Sequence, residues 1–411
     1  MKDEIRTSRM ANITLSVVSA DKIPLSNREV IIEQVNHKFL FGTAAFDLVP
    51  LTNGEYQDER KEQAEARAEK LTALFNAATL PFYWARFEPQ RGKPMTAQVK
   101  NATRWGRDHG LTVKGHPLCW HTLTADWLLS MSNAEILEAQ TARIQRDVSD
   151  FRGLIDMWDV INEAVIMPIF DKYDNGLTRL CKEIGRINTV RAMFAAARTE
   201  NPSATLLIND FDVSPAYDIL IEGCLEAGIQ IDVIGIQSHM HQGYWGVEKT
   251  LKVLDQFARF NLPIHFTETT LVSGDLMPSE IVDLNDYQVS DWPSTPEGEA
   301  RQADETIQHY QTLFAHPLVE GITWWDMSDG GWLNAPAGLI RKDGSSKPAY
   351  EELLKLVKDE WWLSPTKFMT DENGQIHFTG FLGDYRLTCN GKTQSFSLDQ
   401  TGLLSSEVQI G

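Results

Sequence analysis

The chain has 411 residues, 42% of them hydrophobic and 23% charged, the balance of a globular protein with one large core and room for a small annex. Acidic residues outnumber basic ones 57 to 38, and the formal charge of -19 repels phosphate backbones and anionic lipid, so neither nucleic acid nor a membrane is expected as a partner. No run approaches the roughly 20 apolar residues that span a bilayer.

The first ten residues are polar and lack the apolar core of a signal peptide. Residues 11–38 then carry two strand-like runs, 13–17 and 30–35, with a turn near Pro24. From 39 to about 358 short apolar runs alternate with longer amphipathic stretches. The runs are 39–46, 76–82, 111–118, 156–163, 205–212, 231–239, 263–270 and 321–328. Most lack strict alternation, as strands buried on both faces of a parallel sheet do.

Helix ends are marked between them. Ser132 and Glu135 form a capping-box pair, Pro296 follows Thr295 as a first-turn proline, and Gly228 sits where a helix from Ala216 ends. Eight strands alternating with helices through right-handed connections predict an α/β fold, a closed (β/α)8 TIM barrel. An open doubly wound sheet competes, but its dinucleotide-binding form needs a glycine-rich loop after the first strand, and Phe41-Gly42-Thr43-Ala44 is not one. Beyond Trp361-Trp362, which read as packing, glycines punctuate strand-like runs at 375–378, 385–389 and 393–398, with Asn390-Gly391 a hairpin turn. The chain is therefore expected to divide into 1–38, 39–358 and 359–411, the two ends pairing into a small accessory β-sandwich.

Catalytic groups of such a barrel lie at the C-terminal ends of its strands. Those ends carry His116, Asn162-Glu163, Asn209-Asp210, Gln237 and His239, Glu268 and Trp325. Two glutamates without a cluster of metal-type ligands suit glycoside hydrolysis, in which one carboxylic acid protonates the leaving oxygen and an ionised one attacks the anomeric carbon. Their surroundings must then push the two pKa values apart. The Asn162 amide is placed to hold a sugar 2-hydroxyl, while Gln237 and His239, two apart on one strand, are placed to bond the nucleophile. Of the 12 tryptophans, Trp84, Trp120, Trp324, Trp325 and Trp332 fall at or just past strand ends, where indole faces stack on pyranose rings. The four cysteines, Cys119, Cys181, Cys224 and Cys389, have no CxxC pairing and read as buried small hydrophobes.

Over roughly 39–357 these residues resemble the family 10 glycoside hydrolases, known chiefly as endo-β-1,4-xylanases. The resemblance rests on Lys114-Gly115-His116-Pro117-Leu118-Cys119-Trp120-His121, Trp158-Asp159-Val160-Ile161-Asn162-Glu163-Ala164, Leu207-Ile208-Asn209-Asp210, Ile234-Gly235-Ile236-Gln237-Ser238-His239 and Phe266-Thr267-Glu268. The segment 321–332 and Lys347-Pro348-Ala349-Tyr350 extend it. It implies Glu163 as acid/base and Glu268 as nucleophile of a retaining enzyme. It implies that His116, Trp120, Asn162, Gln237, His239 and Trp325 surround the scissile sugar; Trp332, Tyr83 and Trp84 are expected as further substrate contacts of this chain. No metal or organic cofactor is required.

Three departures stand out. The family's Glu-Asn-Glu-Met-Lys-Trp stretch is here Thr79-Leu80-Pro81-Phe82-Tyr83-Trp84, so Leu80 and Tyr83 replace an Asn and a Lys that grip the next sugar. Its Glu-Leu-Asp is Glu268-Thr269-Thr270, and its Trp-Gly is Trp325-Asp326. The expected ligand is a β-linked polysaccharide or oligosaccharide, xylan first. A hydrolase or transglycosylase of the same mechanism acting on another β-glycan is the alternative, and an inactive sugar-binding barrel the reading from a different class. The long polar stretch 271–293 reads as a wall of the leaving-group subsites or as a surface excursion. An extracellular or periplasmic location follows from such a substrate, with a cytoplasmic one also open; the sequence leaves the oligomeric state unspecified.

Overall fold

The computed structural model describes residues 2–411, so Met1, in the first predicted segment, lies outside the described residues. Eight parallel strands close a barrel in the order Leu40–Ala44, Ala77–Pro81, Thr112–His116, Met157–Asn162, Thr205–Asp210, Val233–Met240, Ile264–Leu271 and Val319–Trp324, the last pairing back onto the first. Each predicted run contains its strand or overlaps it. The fifth stops at Asp210 rather than 212 because the Asp210 carboxylate accepts the Asp212 N–H (3.0 Å) and turns the chain outward. The apolar runs fill both faces: Trp158, Val160, Ile161, Leu206, Leu207 and Ile208 have no exposed surface. Gly115 is required beside Trp158, since a β-carbon there would lie 2.2 Å from the indole ring.

The helices start and stop where the caps predict. Ser132 and Glu135 complete a capping box on the helix Asn133–Phe151, Thr295 caps Pro296–Ala315, and Gly228 takes a φ of +76° beyond Pro215–Glu226. From Asn133–Phe151, Gln140 and Arg143 donate to the Leu118 carbonyl at 2.9 and 2.8 Å, and Arg143 also reaches the carbonyl of Phe82. One buried guanidinium thereby fixes the exits of the second and third strands, and with them one wall of the barrel mouth.

The two ends of the chain build two sheets. One orders Gln375–Phe381, Met10–Ser19 and Gly402–Ile410; the other orders Thr366–Met369, Glu29–His37, Gly383–Cys389 and Lys392–Leu398. Ile13, Leu15, Val17 and Ile376 of the first and Val30, Ile32, Tyr385 and Leu387 of the second form a single apolar core. Trp361 stacks on Phe314 of the barrel layer (4.1 Å), and Trp362 meets His37 edge-on (5.1 Å). A helix that the sequence did not announce, Lys2–Arg9, ends on Arg9, which donates to the carbonyls of Phe314 (2.7 Å), His316 (2.6 Å) and Val319 (2.6 Å). It thus satisfies carbonyls left open where the helix Pro296–Ala315 stops.

Every sheet partner of Met10–Ser19 and Glu29–His37 comes from the C-terminal segment. A chain ending at Trp362 is expected to lose hydrogen-exchange protection of the amides of residues 11–19 and 29–37 while the barrel amides keep theirs. Retained protection of 11–19 would show that those strands hold without the C-terminal segment.

Candidate active site

The C-terminal ends of the barrel strands open on a cleft of about 1190 Å³. Ten of the eleven residues singled out from the sequence line it: Tyr83, His116, Trp120, Asn162, Glu163, Gln237, His239, Glu268, Trp325 and Trp332. Glu163 follows the last residue of the fourth strand and has a φ of +57°, a left-handed conformation that costs a non-glycine residue about 1–2 kcal/mol. Its N–H donates to the Asn209 carbonyl (2.8 Å), which holds the kink and turns the side chain into the cleft. Trp120 Nε1–H donates to Glu163 Oε2 (2.8 Å), and the amides of Asn162 (3.2 Å) and Gln237 (3.3 Å) face Oε1. None of these donors is a cation. Burial pushes the Glu163 carboxyl up, the Trp120 bond opposes it, and Asp210 and Glu268 raise it further, to about 8.

Glu268, on the seventh strand, sits among different neighbours. Asn209 Nδ2 donates to its Oε1 (2.9 Å), and His239 Nε2 is 3.1 Å from Oε2. His116 Nε2 lies 3.8 Å from Oε1, while its Nδ1–H donates to Asp159 (2.8 Å), itself 2.7 Å from Lys114 Nζ. Burial pushes Asp159 up, but Lys114 and His116 outweigh it and hold the carboxylate below its ordinary value. Behind His239, Thr270 Oγ1 lies 3.3 Å from both His239 Nδ1 and His241 Nδ1, so a neutral hydroxyl stands where the family motif places an acid.

Aromatic rings wall the cleft. Phe46 meets Tyr83 (5.7 Å) and Trp325 (5.5 Å) edge-on, and Tyr83 flanks His116 and Trp120 (both 5.6 Å). Trp332 leans on His239 (4.5 Å). Trp84 is the correction. Just past the second strand the chain coils into the short helix Trp84–Phe87, so neighbouring side chains diverge: Tyr83 enters the cleft while Trp84 turns into the wall. There its N–H donates to Glu88 (3.0 Å), its ring meets Trp127 edge-on (5.2 Å), and the Arg143 guanidinium covers it (4.8 Å). Leu80 is buried with no exposed surface. Asp326 lines the cleft, with the Trp332 N–H on its Oδ1 (3.2 Å) and Oδ2 buried without a partner; burial lifts its carboxyl to about 7.

The sequence places Asn209 and Asp210 at a strand end and Lys114 in a motif, but assigns none of them a role. Asn209 donates to both Asn162 Oδ1 (2.7 Å) and Glu268 Oε1 (2.9 Å), and its Oδ1 accepts from Thr267 (2.5 Å). Gly235 was the available signal: a β-carbon there would lie 2.5 Å from Asn209 Oδ1, so the glycine leaves room for that amide.

A carboxyl whose folded-state pKa is raised stabilises the fold below its unfolded value and loses that contribution as pH rises through about 8. Glu163→Gln, which cannot ionise, is therefore expected to gain on the wild type between pH 5 and 9, by about 4 kcal/mol at the upper end. Calorimetric melting across that range measures it, and a gap that does not widen with pH would refute the raised pKa.

A family model described as glycosyl hydrolase family 10 matches residues 34–356. An anti-sigma-I factor of Acetivibrio thermocellus is 25% identical over 397 residues, covering 94% of this chain and 46% of its own length. Endo-1,4-beta-xylanase 1 of Arabidopsis thaliana is 24% identical over 396 residues, covering 94% of this chain and 37% of its own, so the chain spans less than half of either relative. Endo-1,4-beta-xylanase B of Thermotoga neapolitana is 29% identical over 296 residues, 67% of this chain and 78% of that protein. Among solved structures, a GH10 protein from Paenibacillus barcinonensis shares the fold with a TM-score of 0.64 at 22% identity, covering 78% of this chain and 95% of that one. Among the described residues no helix is long and apolar enough to cross a membrane. With the model spanning the whole barrel and the strand-end segments in order, the chain belongs to glycosyl hydrolase family 10.

Proposed function

We propose that this chain is a retaining endo-β-1,4-xylanase that cleaves the xylan backbone by double displacement, with Glu163 as acid/base and Glu268 as nucleophile. The observation that carries the assignment is the contrast between the two carboxyls. Glu163 is buried without a cationic partner and keeps its proton up to about pH 8. Glu268 is met by the Asn209 amide and two imidazoles. In the first step a Glu268 oxygen bonds to the anomeric carbon, the glycosidic C–O bond breaks, and the Glu163 proton passes to the departing oxygen. In the second, Glu163 takes a proton from water, whose oxygen displaces Glu268 from the anomeric carbon. The Asn162 amide faces the sugar between the glutamates, and Trp325 and Trp120 supply apolar ring surface.

A second reading keeps the mechanism and changes the substrate to another β-glycan, an oligosaccharide or a decorated glycoside, with hydrolysis or transglycosylation as the outcome. Buried Leu80 and phenolic Tyr83 favour it, because two amine-type donors give way to apolar and aromatic surface. An extracellular or periplasmic location belongs to either reading, since a polymeric β-glycan does not cross a membrane unaided.

Glu268→Ala is expected to lower kcat/KM by about 10³-fold or more while xylo-oligosaccharide affinity by calorimetry is retained, because the covalent step is lost and stacking is not. Equal hydrolysis by variant and wild type would discard the nucleophile assignment. Initial products from xylan, mixed-linkage glucan and aryl xylosides, with the anomer read by NMR, separate the two substrates: cleavage of glucan without xylan products transfers the assignment to the second reading. Because the acid must be protonated, kcat/KM is expected to fall as pH rises through about 8. Asp210→Asn removes a charge that raises Glu163, so that limb should move to lower pH by about half a unit or more. A limb that stays in place would mean that another group titrates.

A further inference from the structure

The loops that follow the two glutamate-bearing strands meet each other. One leaves the fourth strand after Asn162 and reaches the helix Gly176–Ile184; the other leaves the seventh after Leu271 and reaches Pro296–Ala315. The fifth and sixth strands lie between them in the barrel, so any contact has to pass over two strand ends. Lys172 makes it, with Nζ 2.6 Å from Asp283 Oδ2 and 2.5 Å from Asp286 Oδ1. Residues 163–175 contain no other Lys or Arg, and residues 272–295 contain none at all beside five acids, Asp275, Glu280, Asp283, Asp286 and Asp291.

The acidic loop is built as a firm arm. Met277 N–H donates to the His241 carbonyl (2.9 Å), and Gln242 donates to the carbonyls of Pro278 and Ile281, both at 2.8 Å. Val272, Met277 and Trp292 pack with Ala335 and Ala337 in an apolar cluster of their own. Asn285 accepts the indole N–H of Trp332 (3.2 Å), whose ring leans on His239, the partner of Glu268. At the tip Val282 is 100% exposed and yet lines the cleft beside Asp283 and Asn285.

We propose that Lys172 is a specificity-determining latch that closes the leaving-group end of the cleft, so that short leaving groups fit under it and a continuing polysaccharide passes only when it opens. This rests on the reading of Glu163 as the acid: the departing sugar then lies on the side of the loop that carries Lys172. The three side chains are 38%, 33% and 62% exposed, so the bridge is open to water and screened by salt. Ionic strength therefore shifts the balance between short and polymeric substrates.

The test is the ratio of kcat/KM on soluble polymeric xylan to kcat/KM on an aryl β-xylobioside, measured for the wild type, for Lys172→Met and for the double variant Asp283→Asn with Asp286→Asn. Both variants are expected to raise the ratio at least threefold and to release longer initial products. In the wild type 0.5 M sodium chloride is expected to raise it likewise, and in Lys172→Met to leave it level. An active wild type whose ratio is unmoved by either variant overturns the latch and leaves the xylanase reading standing. A wild type that hydrolyses neither substrate overturns that reading, and the latch with it.

Discussion

The amide of Asn209 is the joint on which the cleft is assembled. Thr267 donates to its oxygen (2.5 Å), which fixes its orientation and leaves the NH2 facing both Asn162 (2.7 Å) and Glu268 (2.9 Å). One buried group thus connects the fourth, fifth and seventh strands at the level where the carboxylates emerge. Gln237, from the sixth, adds bonds to Asn162 (3.0 Å) and Glu163 (3.3 Å). A satisfied buried network of this kind is rigid, because withdrawing one partner strands the others in a medium that cannot solvate them. Gly235 is the condition for it, since any side chain there would displace the amide.

Around that joint the charges are unequally distributed. Lys114, Asp159 and His116 form a line of buried opposite charge and hydrogen bonds that ends at Glu268. On the other side Glu163 and Asp210 are buried without a hydrogen-bonded cation, and desolvation lifts both, to about 8 and about 7. Asp326, the acid at the family's usual glycine, is lifted in the same way. Burial thus stores destabilisation at the Glu163 carboxyl, and the positive φ of that residue adds backbone strain. The barrel, with its apolar strands and capped helices, holds both in place.

The departures from the family pattern divide between the cleft wall and the surroundings of the two glutamates. Tyr83 with Phe46 and Trp325 makes one wall aromatic, and Thr270 leaves His239 with a hydroxyl partner. At the other end the arm over the sixth strand, fastened by Lys172, shortens an otherwise open groove.

The barrel was legible in the sequence because its signals are local: apolar runs of strand length, caps and prolines at helix starts, and an Asn-Gly turn at the terminal hairpin. The glutamates were legible for the same reason, each standing at the end of a run with its neighbours in order. The pairing of the two chain ends also followed, since neither end carried enough strands for a core. The rest depended on closure. Whether Tyr83 or Trp84 faces the cleft turns on a helix of one turn and on Arg143 waiting behind it. Asn209 takes its role from Glu268, 59 positions away, and Lys172 reaches an acid 114 positions along the chain. Residue spacing carries no information about such contacts, because only the ring of eight strands brings the fourth and seventh within reach of each other. Local chemistry determined which elements and which acids this chain possesses; the closed barrel decided which groups meet, and therefore which carboxyls are buried away from any cation.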